Sequence, residues 1–117
     1  MNIANLLKLL RLKKINFKEV LSIIDAEYEY VPSTFRNGNK LNYANENPGS
    51  AKVLYFGKVN NLSKEDTLFL FAEHYAGVLE DPDGTSHPNI REFLHYGWER
   101  VNFDSQILFK KNEGLSK

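Results

Sequence analysis

The segment from Ser63 to Leu79 most constrains the fold, because apolar residues recur there at helical spacing over many turns. Ser63 and Asp66 suit the first turn of a helix, where a side-chain oxygen accepts a hydrogen bond from a free N–H group. Phe69 and Leu70 extend the apolar surface beyond one face, which is typical of a helix buried on most sides. We therefore predict one continuous central helix, with a main apolar face of Leu68, Phe71, Ala72, Tyr75, Val78 and Leu79.

The chain is long enough for one hydrophobic core and too short for two ordinary domains. It has 117 residues, 42% of them hydrophobic, so we predict a single domain over residues 1–117 with its core in about 16–109. Fifteen basic residues balance fifteen acidic ones, so no overall field favours binding to nucleic acid. The absence of cysteine excludes disulfides, thiolate metal sites and a cysteine nucleophile.

No apolar run approaches the roughly 20 residues that span a bilayer, so we predict no integral membrane association. The first residues, 1–12, lack a basic head before their apolar stretch and lack a small-residue cleavage site, so they do not resemble a signal peptide. The pattern indicates a protein that is cytoplasmic in the cell that makes it.

The N-terminal segment, Met1 to Lys14, is predicted to form a short, basic, leucine-rich helix. One interpretation is a helix that binds a membrane surface or a partner. We favour the other interpretation, in which the helix docks on its own domain or on a second copy through Leu6, Leu9 and Leu10. A homodimer is therefore possible.

A second helix is predicted to follow, because Asn16 and Glu19 stand at the spacing of a capping box. Its apolar face would comprise Phe17, Val20, Leu21, Ile24 and Tyr28, and Pro32 would end it. Aromatic and β-branched residues from Tyr28 to Phe35 predict a short edge strand.

The middle of the chain predicts a long loop from Arg36 to Ser50, with a tight turn at Asn37-Gly38. The next segment, Ser50 to Asn60, has the composition of either a strand or a helix. We prefer a helix, because Ser50 suits an N-cap and Asn60-Asn61 suit a left-handed C-cap.

The C-terminal part begins with a predicted type I turn at Asp81–Gly84. A helix should then start near Pro88 and end at Gly97, and a closing strand should cover Val101–Phe109 and pair with Tyr30–Phe35. The tail from Lys110 should be frayed. The predicted fold is therefore α+β: a predominantly helical single domain with a small antiparallel sheet.

All three histidines fall between Glu73 and Trp98, which makes this stretch the candidate site. On one helix, His87 and His95 would lie about 12 Å apart, too far to share an ion. No close His pair occurs in a metal-binding motif, and Ser86 beside His87 is not a catalytic dyad, since neighbouring side chains diverge. We predict no metal site and no cofactor, and we assign no catalytic residues.

The most specific hypothesis for this stretch is an anion site at the start of the helix near Pro88. There the N–H groups of Asn89 and Ile90 and the positive end of the helix dipole favour phosphate or carboxylate. In the simpler interpretation, which the frequency of capping favours, Asp83 or Thr85 occupies those donors and Arg91 is paired internally. The candidate ligand-binding residues are His74, Asp83, Thr85, His87, Asn89, Arg91, Asn37 and Asn47.

Several blocks of the chain together resemble the HopJ type III effector protein family. The resemblance runs from Phe17 to Leu108. It is carried by Phe35-x-Asn37-Gly38, Asn42, Asn47-x-Gly49-Ser50-x-Lys52, Leu62-Ser63, Thr67-Leu68, Val78-Leu79-x-x-Pro82-x-Gly84-Thr85-x-His87-x-Asn89-Ile90-Arg91-x-Phe93 and Gly97-Trp98.

The resemblance implies an effector-like interaction protein with an unknown protein partner, and it supplies no reaction or catalytic residues. The family takes its name from a protein that a type III system delivers into plant cells, so secretion is implied only for a true effector. Ala51 stands where relatives commonly have cysteine, and the leucine-rich N-terminus departs from the serine-rich leader expected for secretion. The alternative is a housekeeping protein or enzyme that binds a small anionic ligand or a metal around His74, His87 and Arg91.

Overall fold

The computed structural model describes residues 2–111. In that range six α-helices and five short strands form a predominantly helical α+β fold with antiparallel strands, as predicted. The elements are α1 (Ile3–Arg11), α2 (Phe17–Glu27), β1 (Tyr28–Tyr30), β2 (Phe35–Asn37), β3 (Lys40–Asn42), α3 (Pro48–Val59), α4 (Lys64–Phe69), α5 (Glu73–Glu80), α6 (Pro88–Tyr96), a 3₁₀ turn (Gly97–Arg100), β4 (Val101–Phe103) and β5 (Leu108–Lys110).

Helix α1 docks on its own domain, beside α4, as the preferred interpretation predicted. Leu6 and Leu10 are buried as expected, but the third buried leucine is Leu7 and not Leu9. Arg11 also forms an ion pair with Asp66 of α4 at 2.7 Å. No helix within residues 2–111 is long and apolar enough to cross a membrane.

Helix α2 begins with the predicted capping box. The Asn16 side chain accepts from the N–H of Glu19, and the Glu19 carboxylate accepts from the N–H of Asn16. The helix ends at Glu27, well before Pro32, because the chain turns into strand β1 at Tyr28. Tyr28 therefore belongs to the strand and not to the helix.

The prediction of one continuous helix from Ser63 to Leu79 is wrong. The chain forms α4 and α5, separated at Leu70–Ala72, and Ala72 has φ 52° and ψ −123°. At the break the backbone N–H groups of Leu70, Phe71 and Ala72 donate to carbonyls three residues back, which is the tighter 3₁₀ pattern that often ends an α-helix. Leu70 and Phe71 are both fully buried there. Apolar periodicity missed the break because apolar residues occupy every face there.

Ala72 provides a test of this break, because its backbone lies in a region that glycine adopts much more readily than alanine. Ala72→Gly should raise the free energy of unfolding by about 1 kcal/mol by relieving that strain. The matched control is Ala76→Gly within α5, which should lower it by about 1 kcal/mol. Urea unfolding of both variants measures the difference, and a loss of stability in both would contradict the strained geometry.

The predicted loop from Arg36 to Ser50 is also wrong in part, because β2 and β3 form a hairpin within it. The tight turn predicted at Asn37-Gly38 is confirmed: Asn37 pairs with Lys40, and Gly38 has φ 62°. A Cβ atom at Gly38 would also collide with the carboxylate of Glu92. Alternating asparagines hid the strands, since asparagine is depleted in strands.

The antiparallel strands form two small sheets and not one, ordered β1-β5 and β3-β2-β4. The closing strand predicted at Val101–Phe109 is accordingly two strands. The predicted pairing of this segment with Tyr30–Phe35 is confirmed for both strands, since Tyr30 pairs with Leu108 in β5 and Phe35 pairs with Phe103 in β4. Pro32 lies between β1 and β2, where no ladder hydrogen bond is required of it.

At the C-terminal end, the prediction of fraying from Lys110 is wrong where the structure tests it. Lys110 belongs to β5, and the N–H of Lys111 donates to the carbonyl of Glu27. The rest of the predicted tail, residues 112–117, lies outside the described residues.

Helix α3 confirms the helical interpretation of Ser50–Asn60, but it begins at Pro48, so Ser50 is not its N-cap. Asn61 takes the left-handed conformation predicted for the C-terminal end, with φ 55°. Ala51 is buried on this helix. One core joins all the elements, and its largest fully buried side chains are Phe35, Phe56, Phe71, Phe93, Leu6 and Ile24.

Candidate functional site

A cleft of about 310 Å³ lies where the N-termini of α3 and α6 meet the first turns of α2 and α5. Its polar lining comes from the side chains of His74, His87, Asn47, Asn89 and Ser50. Its apolar wall comes from Phe17, Phe71 and Ile90. We refer to this feature as the histidine cleft.

The two helices that open into the histidine cleft begin in the same way. Asn47 has φ 49° and ψ 53°, His87 has φ 51° and ψ 58°, and each precedes a proline at the first helical position. Neither N-cap side chain accepts a hydrogen bond from its helix. The start of α6 at Pro88 was predicted, whereas the matching start of α3 was not.

Three backbone donors therefore stay unused at these helix starts. The N–H groups of Gly49, Ser50 and Asn89 have no acceptor among residues 2–111. The N–H of Ile90, predicted to face a ligand, instead donates to the carbonyl of His87 at 3.0 Å. Free donors at a helix start carry partial positive charge, so two such starts in one cleft favour an anion there.

His74 and His87 lie side by side, although thirteen positions separate them in the chain. Their ring centroids are 4.6 Å apart, and the planes are tilted by 37°. The ring of Phe17 packs edge-on against His74 at 4.8 Å. The loop after α5 therefore places His87 directly beside His74.

The charge state of His87 depends on this packing. Partial desolvation, then the charges of His74 and Arg91, lowers the pKa of His87 below its usual value of 6.5. His87 is exposed as a whole residue, although its ring packs against that of His74. At neutral pH His87 is therefore a neutral imidazole, which donates through one nitrogen and accepts through the other.

This shift predicts a pH dependence of stability. The unfolded chain takes up a proton on His87 at a higher pH than the folded protein does. Stability should thus fall as the pH drops through 6.5, and the loss is complete below the folded pKa. The urea midpoint of the wild-type protein should therefore fall relative to that of His87→Gln as the pH drops below 6.5. A constant difference between the two would contradict the lowered pKa.

A network of four asparagines, three of them buried and Asn47 exposed, lies behind the histidine cleft. Asn42 accepts from the side chains of Asn47 at 2.7 Å and Asn89 at 2.9 Å, and it donates to Asn89 at 3.2 Å. Asn37 donates to the backbone carbonyl and the side-chain oxygen of Asn89, at 2.8 and 3.0 Å. The network ties the β2–β3 hairpin to the starts of α3 and α6. The side-chain oxygen of Asn37 is buried without a partner in the described residues.

Arg91 lies outside the histidine cleft and holds the preceding loop. It donates to the carbonyls of Asp81, Pro82 and Ser86. The turn predicted at Asp81–Gly84 is confirmed by the hydrogen bond from the Gly84 N–H to the Asp81 carbonyl at 3.0 Å. Arg91 is therefore paired internally, as the simpler interpretation predicted, and its partners are backbone carbonyls. These hydrogen bonds stabilise the loop that carries His87.

The remaining candidate residues, and the third histidine, do not contribute side chains to the histidine cleft. Asp83 and Thr85 are exposed, do not line the cleft, and do not cap α6. His95 is exposed against the ring of Tyr96 and does not line the cleft either. No group of three or more His, Asp or Glu side chains within residues 2–111 could hold a metal ion.

Sequence reasoning missed Phe17, Gly49, Ser50 and Asn42 as parts of this region. The sequence did contain a signal for Gly49 and Ser50, which follow Asn47-Pro48. This pair resembles His87-Pro88, because in both a polar residue stands directly before a helix-starting proline. That repetition indicates two similar helix starts. Their convergence on one cleft follows only from the packing of α3 and α6 around the asparagine network.

The fold and the cleft define a class: a small, predominantly helical α+β domain with a polar cleft between two helix N-termini. The chain belongs to the HopJ type III effector protein family, whose model matches residues 3–108. That match extends the resemblance noted from Phe17 onwards to include α1.

Among solved structures, the chain is similar to a crystal structure of a protein of unknown function, VPA0580. The two are 39% identical, the alignment covers 95% of each chain, and the TM-score is 0.86. Comparison with curated proteins finds no match.

Proposed function

We propose that this HopJ-family protein binds a small anionic ligand, carrying a phosphate or a carboxylate group, in the histidine cleft. The observation that carries the proposal is the meeting of two uncapped helix starts in one cleft. The N–H groups of Gly49, Ser50 and Asn89 would donate to the anion, and His74 and His87 would donate from the opposite wall.

The electrostatics of the cleft support an anion over a cation. Each helix start places about half a positive elementary charge there. Within the described part of the chain, residues 2–111, no carboxylate side chain lines the cleft, so nothing in that lining opposes a bound anion. A bound anion would also favour the protonated form of His87 and so offset the lowering of its pKa by His74 and Arg91.

The size of the cleft limits the ligand. A volume of about 310 Å³ is near the lower end of ordinary ligand pockets, which span roughly 300–1,000 Å³. Phe17 and Phe71 provide an apolar wall beside the polar donors. We therefore expect a ligand with one anionic group on a short apolar or aromatic body.

Inorganic phosphate provides the first test. Titration into the ¹⁵N-labelled protein should shift the amide resonances of Gly49, Ser50 and Asn89 before others, because those groups would bind the anion directly. The double variant His74→Gln/His87→Gln should weaken binding about tenfold, since two imidazole donors are lost from the wall of the cleft.

His95→Gln is the matched control, because it removes an exposed histidine outside the cleft and should leave binding unchanged. Equal weakening by the control, or no shift of the three amides at millimolar phosphate, would rule out the proposed anion site. Circular dichroism of each variant separates a loss of binding from a loss of folding.

A second candidate function follows from the family. The family's description as a type III effector favours a protein that is delivered into another cell and acts there on a protein partner. This candidate and the anion site are compatible, since an effector can carry a ligand site.

Delivery has its own test. The full chain, fused to an enzymatic reporter of entry into host cells, should give a signal from bacteria with a working type III apparatus. The same bacteria without the apparatus should give none. An equal signal from both strains, or none from either, would contradict the effector role and favour a protein that stays in the cytoplasm of the cell that makes it.

A further inference from the structure

A second concavity of about 710 Å³ opens on another face of the molecule, and it shares no lining residue with the histidine cleft. It lies between the end of α1, the α1–α2 connection and the face of α5 that turns away from the core. We refer to it as the α1–α5 groove. Its floor is formed by Leu10, Ile15, Phe69, Tyr75, Ala76 and Leu79.

The α5 side of the groove is a partly exposed apolar helix face, on which the ring of Tyr75 packs edge-on against Phe69 at 5.8 Å. Ala72, Tyr75, Ala76 and Leu79 follow one another at the spacing of a single helical face. Leu79 is 55% exposed, whereas its neighbour Val78 is buried in the core. The two alanines leave room for another helix to approach closely, since interaxial distance depends on side-chain size.

Three of the charged residues that line the groove are occupied within the protein. Arg11 is paired with Asp66 at 2.7 Å. The carboxylate of Glu19 completes the capping box of α2, and the carboxylate of Glu73 accepts from the first N–H of α2 at 2.8 Å. Both carboxylates of the groove are therefore held by backbone N–H groups.

Lys13 and Lys14, in the α1–α2 connection, are the exception. Both are exposed, and neither has an ion-pair or hydrogen-bond partner for its side chain among residues 2–111. The charges of the groove that a ligand could pair with directly are thus those of the two lysines, whereas the carboxylates of Glu19 and Glu73 are held at the start of α2, whose positive dipole end offsets part of their charge. A ligand that fills this groove should combine an apolar surface with acidic groups at that end.

We propose that the α1–α5 groove binds an amphipathic helix of a partner protein, with its apolar face on Tyr75, Ala76 and Leu79. Acidic residues at one end of that helix pair with Lys13 and Lys14. Helices and their connection form the groove, and no strand edge lines it, so helix-in-groove binding fits better than strand addition. A bilayer surface fits less well, since it would not fill a concave site. This inference does not depend on the anion site.

Synthetic amphipathic helices test the proposal with the full-length protein. One peptide carries leucines at i, i+3, i+4 and i+7 with glutamates at one end, and a second is identical except that lysines replace the glutamates. Fluorescence anisotropy should show binding of the acidic peptide, weakening with added salt, and binding of the basic peptide at least about tenfold weaker.

Charge reversal then identifies the contact. The double variant Lys13→Glu/Lys14→Glu should invert the preference, so that the basic peptide binds better, whereas Lys18→Glu should leave it unchanged. Lys18 is the matched control, because it is exposed on α2 and does not line the groove. Leu79→Asp should weaken both peptides about tenfold, and Val59→Asp, at an exposed position on α3, should not.

Three outcomes would overturn the proposal. Neither peptide binds; or the acidic peptide binds equally well to the lysine double variant; or vesicles containing anionic lipid bind in a Lys13- and Lys14-dependent manner while the peptides do not. The last outcome would assign the basic end of the groove to a membrane surface. The substituted side chains are all exposed, so each variant should fold, and circular dichroism checks that it does.

Discussion

Replacing Asn42 by alanine is expected to lower the free energy of unfolding by about 3 kcal/mol, because the change removes three side-chain hydrogen bonds and leaves the buried side-chain nitrogen of Asn89 without its acceptor. Asn42 is fully buried and exchanges three hydrogen bonds with Asn47 and Asn89. Without it, both donors that bond to its side-chain oxygen lose their partner. Equilibrium unfolding in urea measures the loss.

The same variant also tests the link between the network and the histidine cleft. Because Asn47 and Asn89 line the cleft, their loosening should weaken the response of the Gly49, Ser50 and Asn89 amides to phosphate. Asn39→Ala is the matched control on the same hairpin. Asn39 is exposed, and its side chain donates to the hydroxyl of Tyr96, while its backbone N–H keeps its bond to Glu92 in the variant, so the loss of the side chain should cost under about 1 kcal/mol. Equal urea midpoints for the two variants would mean that the network contributes little.

Replacing Leu6 by alanine should cost about 3 kcal/mol, the usual loss when a fully buried leucine is truncated in a core that cannot collapse around it. Leu6 has no exposed surface and anchors α1 on the domain. The variant should unfold at a clearly lower temperature while keeping its helical circular dichroism at room temperature.

Leu12→Ala is the control for this prediction, since Leu12 is 54% exposed at the end of the same helix and its truncation should change stability by under about 0.5 kcal/mol. A measurement of binding to liposomes distinguishes the two interpretations of the leucine-rich N-terminal segment. If Leu6→Ala leaves stability unchanged but abolishes binding to liposomes, α1 is a membrane-binding helix and not part of the core.

Local signals in the sequence predicted the helices and turns well where one effect dominates. The capping box at Asn16, the turn at Asp81–Gly84 and the helix start at Pro88 each depend on hydrogen bonds or dihedral limits within a few residues. Prediction failed where local preference and packing disagree. At the break before α5, Ala72 takes a positive φ that alanine disfavours, while Leu70 and Phe71 are buried in the core. The β2–β3 hairpin exists because its asparagines are paired to a distant helix.

The residues predicted for the candidate site were likewise right in part and wrong in part. Four of the residues proposed from sequence, His74, His87, Asn89 and Asn47, line one cleft, and Asn37 bonds to Asn89 behind it. Asp83, Thr85 and Arg91 do not line it. Arg91 could not be assigned from sequence, because its partners are carbonyl oxygens, and every residue type supplies those equally.

The sequence by itself determined the class of fold, the family and the region of the chain where polar groups concentrate. These follow from composition, from turn and capping residues, and from motifs that need only short-range chemistry. Only the tertiary structure decided that α3 and α6 begin at the same place, that His74 lies against His87, and that an apolar face of α5 stays partly exposed. Each of these depends on long-range packing, in which the burial of Leu70, Phe71 and Asn42 outweighs the local preferences of the chain.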